Sequence, residues 1–461
     1  MRYPTPAPVP AAPAPTAPAG ATTATADAWF YDLSLRKIWA FVTRQPPSFW
    51  FIVFYAFFEY IRPQAIYSMI YGWQFARWML IGCTVSLLVE GGRKARAWTL
   101  LDTLLVVYTA VVLLSSVNAI SPQISYRFLH QYYNWVFIYI LITLTVNTER
   151  RFLVFTLAFL VYSTKMAQFG VRYWIQSGFV PGSYGVSCGV GFFQNTGECG
   201  IQMAMFFPMA LFFVLALKPY VSRNKFLLLA FMPFSAAVTI VSSSSRGSML
   251  ALGVILAWLM ARNPKNIKAM IGVAVVAGGV WLIIPEKQKE RFSSMGEDET
   301  SLTRLTYWEH AREIMREYPV FGIGHANWLP YYMRNYNRDG QLVHNVFYQA
   351  GAELGFTGLG AFILLILGTF YTNRKSRRLA RELPDGGRFL SSMASGLDGA
   401  LIGFAVSGYF VTVLYYPFFW INLAFTAALH CTTLNELRRH RLGARGGGRT
   451  RGGSARRAVV G

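Results

Sequence analysis

Few ionisable side chains interrupt the apolar stretches of this sequence, and those that do are far apart along the chain. Arg246 lies in Ser242-Ser243-Ser244-Ser245-Arg246-Gly247-Ser248, a tight turn between two apolar runs. A guanidinium fork among small hydroxyl residues, with a glycine permitting close backbone approach, suits an oxyanion such as phosphate. Arg304 opens an amphipathic stretch, and His344 falls in Leu342-Val343-His344-Asn345-Val346-Phe347, where a polar loop returns to an apolar run. Each has a bland reading: an interfacial arginine that snorkels, a surface charge, a histidine that only hydrogen-bonds. Together they are more pointed. Two arginines can grip a diphosphate and stabilise its charge as it leaves, and a histidine titrating near neutrality can take the proton from an attacking hydroxyl. Those parts suffice to move a glycan from a lipid diphosphate to a hydroxyl without nucleotide, cofactor or metal. Glu353, inside the next apolar run, must be paired or neutral there and reads as an anchor for packing. Lys165, near the outer end of another run, either snorkels or adds positive charge to the same pocket.

The elements that must position these residues are membrane helices. Twelve apolar runs lie near 48–61, 77–90, 100–117, 132–147, 152–168, 199–217, 225–242, 247–261, 267–284, 346–371, 396–415 and 417–434. Lipid offers no partners to the backbone, so each run is expected to be helical. With the N-terminus inside, the inside loops carry Arg93, Lys94 and Arg96, then Arg150 and Arg151, Lys218 to Lys225, Arg262 to Lys268, Arg374 to Arg388, and the basic tail. The short outside loops hold little beyond Arg62, Arg127, Arg172 and Arg246. That alternation is what orientation by Lys and Arg bias predicts, and it puts Arg246, Arg304 and His344 on one face. The expected fold is all-α, a polytopic membrane protein of about twelve transmembrane helices with a large periplasmic loop, residues 285–345, between spans nine and ten. Within that loop, Leu305, Trp308, Ala311, Met315 and Tyr318 recur at helical spacing, with Glu309–Arg312 and Glu313–Arg316 as candidate pairs. Pro319 and the Gly322-Ile323-Gly324 turn should end that helix.

Composition agrees. Of 461 residues, 54% are hydrophobic and only 14% charged, well below the roughly one quarter usual in soluble domains. The net charge of +22 is dispersed in short clusters between apolar runs, which points to anionic lipid rather than nucleic acid. Residues 1–27, rich in Pro, Ala and Thr, are expected to be disordered, without the order of a signal peptide. Residues 28–437 are expected to form the transmembrane glycan-transfer domain, and the Arg/Gly-rich 438–461 a disordered cytoplasmic tail. The cysteines show no metal-ligand spacing; Cys83 and Cys431 read as packing residues, while Cys188 and Cys199 flank an outside loop where a disulfide is open.

A transporter or flippase is the rival from another class, since about twelve spans suit many carriers. Carriers built from two six-span halves show internal repeats, and no matching halves are visible here.

In order along the chain stand Phe193-Gln194-Asn195, the Ser244-Ser245-Arg246-Gly247 turn, Arg304 with Trp308, and Tyr318-Pro319-Val320-Phe321-Gly322-Ile323-Gly324. His344-Asn345 and Glu353-Leu354-Gly355-Phe356-Thr357-Gly358 follow. This series resembles the O-antigen ligase and polymerase superfamily of bacterial envelope enzymes. The resemblance implies a metal-independent integral-membrane glycosyltransferase of the inner membrane, acting at the periplasmic face on an undecaprenyl-diphosphate-linked glycan donor and a lipid or glycan acceptor, such as lipid A-core. It implies that Arg246 and Arg304 hold the diphosphate and that His344 activates the acceptor hydroxyl. Lys165, Asn195, Trp308, Asn345 and Glu353 are lesser substrate-binding candidates. The residues lean towards a ligase, with a repeat-unit polymerase or a protein O-glycosylation ligase of the same superfamily as alternatives.

Overall fold

The computed structural model describes residues 30–91, 96–178, 185–189, 191–262, 286, 299–336 and 339–452, with side chains at 299, 300 and 443–452 left out. Among them the ordered elements are all helical. Those of seven residues or more are α1 (Leu35–Val42), α2 (Pro47–Tyr60), α3 (Phe75–Val89), α4 (Leu100–Val117), α5 (Pro122–Phe128), α6 (His130–Thr145), α7 (Glu149–Gln176), α8 (Thr196–Leu217), α9 (Arg223–Ser242) and α10 (Arg246–Arg262). After a gap follow α11 (Glu299–Glu317), α12 (Trp328–Asn335), α13 (Val346–Ala380), α14 (Arg388–Gly408) and α15 (Pro417–Gly452). Among the described residues, six helical stretches are long and apolar enough to cross a membrane: α4, α7, α8, α9, α13 and Pro384–Gly408, which contains α14. The expected run at 267–284 and the N-terminal tail lie outside the described residues.

The bundle is organised around α8. The apolar window of this helix is 83% buried, against 39% for α4 at the periphery. Small residues let α14 approach it closely. A side chain at Gly399 would stand 2.7 Å from the Pro208 ring, and one at Gly403 2.7 Å from the Ala204 carbonyl. In lipid, where apolar contact between helices gains little over contact with acyl chains, such close backbone packing supplies the dispersion energy that holds helices together.

Two boundaries differ from the sequence expectation. The apolar run at 396–415 is not one helix: α14 ends at Gly408, and Tyr409–Tyr416 form an irregular segment before Pro417 opens α15. Apolarity there reflects burial under a cap rather than a span, since Val413 and Leu414 are buried without being helical. At the other end, α15 continues past residue 438, where the tail was expected to begin, through Gly452. Residues 453–461 lie outside the described chain.

The cap is built from α11 and α12 over the bundle and has its own core of Tyr307, Ala311, Ile314, Ile323, Trp328, Tyr332, Val343 and Ala352. The expected amphipathic helix is α11, though its buried face is centred on Tyr307, Ala311 and Ile314, and Leu305 is exposed. Neither Glu309–Arg312 nor Glu313–Arg316 forms an ion pair; Glu313 instead accepts a hydrogen bond from the Tyr336 hydroxyl at 3.2 Å. Exposed pairs of that kind contribute little, so nothing compels them to form.

Candidate active site

The site grows from a break in α13. Gly355 has φ 71 and ψ −174, which divides the helix into a short arm, Val346–Leu354, and a long arm. The left-handed φ favours glycine, and a Cβ at this position would stand 2.3 Å from the Val320 carbonyl oxygen. Breaking the ladder frees carbonyls that would otherwise serve the helix. Those of Ala352 and Glu353 accept the Ile323 and Gly324 N–H groups at 3.0 and 2.9 Å, and the Phe356 N–H donates to Pro319 at 2.8 Å. Two motifs separated in sequence, 318–324 and 353–358, are therefore two halves of one joint.

Glu353 locks this joint. It is buried, its Oε1 accepts the Trp328 N–H at 3.3 Å and its Oε2 accepts the Tyr415 hydroxyl at 2.8 Å. The packing role expected of it is the one its partners describe. His325, a residue the sequence reading passed over, is wholly buried against the Tyr415 ring, 4.3 Å between centroids. Burial lowers its pKa to about 4.

The short arm begins at Asn345, whose Oδ1 accepts the Phe347 and Tyr348 N–H groups at 2.9 and 3.1 Å. It is an N-cap, and its buried Nδ2 has no hydrogen-bond partner among the described residues. His344 precedes it in the left-handed region, with φ 53. Two contacts hold the backbone in that conformation, and a third ties residues 409–416 to α13. The His344 N–H donates to Thr412 Oγ1 at 2.7 Å, the Trp308 indole donates to the Val343 carbonyl at 3.0 Å, and the Leu414 N–H donates to Gln349 Oε1 at 3.2 Å. Among the described residues the imidazole itself makes no hydrogen bond, so both ring nitrogens remain available to a reactant.

Arg304 stands one turn before Trp308 on α11, and its charge reaches the imidazole. Burial first, then the Arg304 guanidinium, lowers the His344 pKa to about 4. The cap thus carries the Arg304 charge within electrostatic reach of the histidine.

The turn that carries Arg246 packs on a segment that also touches Trp308 and His344. It abuts residues 409–416: a Cβ at Gly247 would stand 2.7 Å from the Phe410 ring. The same segment supplies Tyr409, edge-on to Trp308 at 5.2 Å, and Thr412 to His344. The segment is itself pinned by the indoles of Trp135 and Trp420, which donate to the Tyr415 and Leu414 carbonyls at 2.7 and 2.8 Å. Ser242 and Ser243 donate back to Thr239 and Ile240, and Ser245 pairs with Ser248, so these hydroxyls shape the turn that carries Arg246.

The remaining candidates lie elsewhere. Lys165 is exposed on α7 and donates to the Ile61 carbonyl at 3.4 Å, beside the end of α2. Asn195 begins α8, where its N–H donates to Glu198 Oε2 at 3.3 Å, a helix-start contact. Nearby, Cys188 and Cys199 are joined in a disulfide, and the Val186 N–H donates to Ser242, so this strap buttresses the arginine turn. Thr412 and its neighbours were missed by sequence reasoning. The only signal was the pair of helix breakers, Gly408 and Pro417, bracketing an aromatic-rich stretch.

The resemblance drawn from the motifs holds over the heart of this site: residues 230–363 match the family described as O-antigen ligase. Arg246, Arg304, His344 and Glu353 all fall within the match, whereas residues 409–416 fall outside it. No curated protein matches the chain.

Proposed function

We propose that this protein is an O-antigen ligase-like glycosyltransferase that moves a glycan from an undecaprenyl-diphosphate carrier to an acceptor hydroxyl at the periplasmic face of the inner membrane. The observation that carries this reading is that the Arg304 charge lies within electrostatic reach of His344. A guanidinium charge acts on a half-buried imidazole whose nitrogens are free of protein partners, within the family-matched segment.

In the reaction, the acceptor oxygen bonds to the anomeric carbon while the bond from that carbon to the diphosphate oxygen breaks. The departing electron pair stays on the diphosphate, whose growing charge Arg304 and Arg246 stabilise. The acceptor proton passes to a ring nitrogen of His344. The neutral imidazole is ready to accept it, and a diphosphate beside Arg304 offsets the charge that otherwise opposes protonation. Trp308, Asn345, Thr412 and Glu353 act by position: they hold the His344 backbone and the short arm of α13. Lys165 and Asn195 bind at most the outer reaches of the substrate.

The wider arrangement is part of the same proposal: about twelve spans, both termini cytoplasmic, and residues 285–345 periplasmic. The Cys188–Cys199 disulfide supports an oxidising compartment for the site's side of the membrane.

The test is transfer by purified protein given lipid-linked donor and acceptor in detergent. His344→Ala should abolish product while leaving the protein folded, and Arg246→Lys should not restore the activity lost in Arg246→Ala, because an ammonium cannot copy the planar fork. Chelators should leave the rate unchanged. A wild-type protein that forms no covalent product but moves lipid-linked glycan across a bilayer would replace this reading with a transporter.

A further inference from the structure

The end of α13 remote from His344 is densely cationic. From Phe356 the long arm rises about 27 Å to Arg374, close to the thickness of a hydrocarbon core, so this end lies at the opposite membrane surface. There Arg262 of α10, Arg374, Lys375, Arg377 and Arg378 of α13, and Arg381 just after it line one open cavity of about 710 Å³.

Two of these six cations have protein partners. Arg377 pairs with the buried Asp398, which Asn373 also holds at 2.9 Å, and Arg262 donates to Ser395 Oγ at 3.0 Å and lies over the Trp258 ring. The other four, Arg374, Lys375, Arg378 and Arg381, take part in no ion pair among the described residues. Arg374, Arg377, Arg378 and Arg381 follow at steps of three, one and three, so they share one helix face and repel one another. A bound anion would relieve that repulsion, and the cavity is larger than a lone phosphate needs.

The surface leading to the cavity identifies which anion. Leu364, Leu367 and Tyr371 descend the same helix from mid-membrane, 52%, 57% and 58% exposed. Tyr371 is part of the cavity lining, so the apolar stripe runs into the cationic rim. A free anion has no use for such a stripe, whereas an acyl chain fits along it. We infer that this cavity is a binding site for an anionic phospholipid, with its phosphate among Arg374, Lys375 and Arg378 and an acyl chain against Leu364 and Leu367. Arg377 stays with Asp398 as the fixed wall of the site.

Full-length protein, delipidated in detergent, can be titrated with dioleoyl phosphatidylglycerol, dioleoyl phosphatidylcholine or inorganic phosphate. Native mass spectrometry then counts retained lipid, and thermal midpoints follow in parallel. Wild type should retain phosphatidylglycerol saturably and melt higher with it, and should respond to neither of the other two. The combined variant Arg374→Gln/Lys375→Gln/Arg378→Gln should bind phosphatidylglycerol about a hundredfold more weakly, and each single variant about fivefold, as expected for cations near a membrane surface. Arg312→Gln/Arg316→Gln/Arg334→Gln removes the same charge from exposed positions of the cap and should bind as wild type does. The site is overturned if the single variants all bind as wild type, if the cap variant loses as much, or if phosphate alone reproduces the shift.

Discussion

Replacing Arg304 by Gln should move the titration of His344 upward, but only part of the way to its ordinary value. In the folded protein the imidazole pKa is near 4 instead of 6.5, with burial the larger cause and the Arg304 charge the smaller. At pH 7 that leaves about one molecule in a thousand protonated, against about a quarter for an unperturbed histidine. Removing the guanidinium abolishes the smaller cause alone, so the rise should be at most about one pH unit, and burial should still hold the value below 6.5. NMR of isotope-labelled histidine reads this directly and does not depend on activity; the chain has six histidines, and His344→Asn assigns the signal. In turnover, the acid limb of kcat/KM reports the free enzyme and should lie near 4, while the limb of kcat should lie higher, because bound diphosphate offsets Arg304. An unchanged titration in Arg304→Gln would refute the coupling of the two groups. A wild-type value of 6.5 would refute the burial of His344 beneath the cap.

Three other outcomes follow from the same contacts. His325 is held near 4, so the folded state resists a proton that the unfolded chain accepts; stability should be complete above pH 6.5 and fall by up to about 3 kcal/mol as pH drops to 4, a slope that His325→Gln flattens in denaturation curves. Glu353→Ala strands the Trp328 N–H and the Tyr415 hydroxyl and should destabilise by about 3 kcal/mol, with Glu353→Gln milder, read as denaturation midpoints in detergent. Cys188→Ala should cost about 3 kcal/mol through the loss of a short closed loop, and without reductant the native protein should show no reactive thiol, because Cys83 and Cys431 are buried.

Much of this protein is decided by period and polarity. Ten of the twelve apolar runs fall on helices, the run at 396–415 does so only as far as Gly408, and the run at 267–284 lies outside the described residues. The amphipathic helix after Glu299, and its end ahead of Pro319, were likewise legible from spacing. Arg246, Arg304 and His344 stood out because an ionisable group beside lipid is expensive enough to be rare. These are local properties: hydration, backbone pairing and helical repeat act within a few residues, so a single strand of text contains them.

What reaches across the chain was not legible. The docking of 318–324 into the break at Gly355 and the grip of Thr412 and Trp308 on the backbone around His344 depend on partners tens of residues away. The apolar stretch 409–416 shows why: a buried loop and a lipid-facing helix have the same hydrophobicity, and only the neighbours that accept or supply its hydrogen bonds tell them apart. The residue types for a charge-stabilised proton transfer are a property of the sequence. Which of them face one another, and hence how His344 titrates, is set by the cap closing over the bundle.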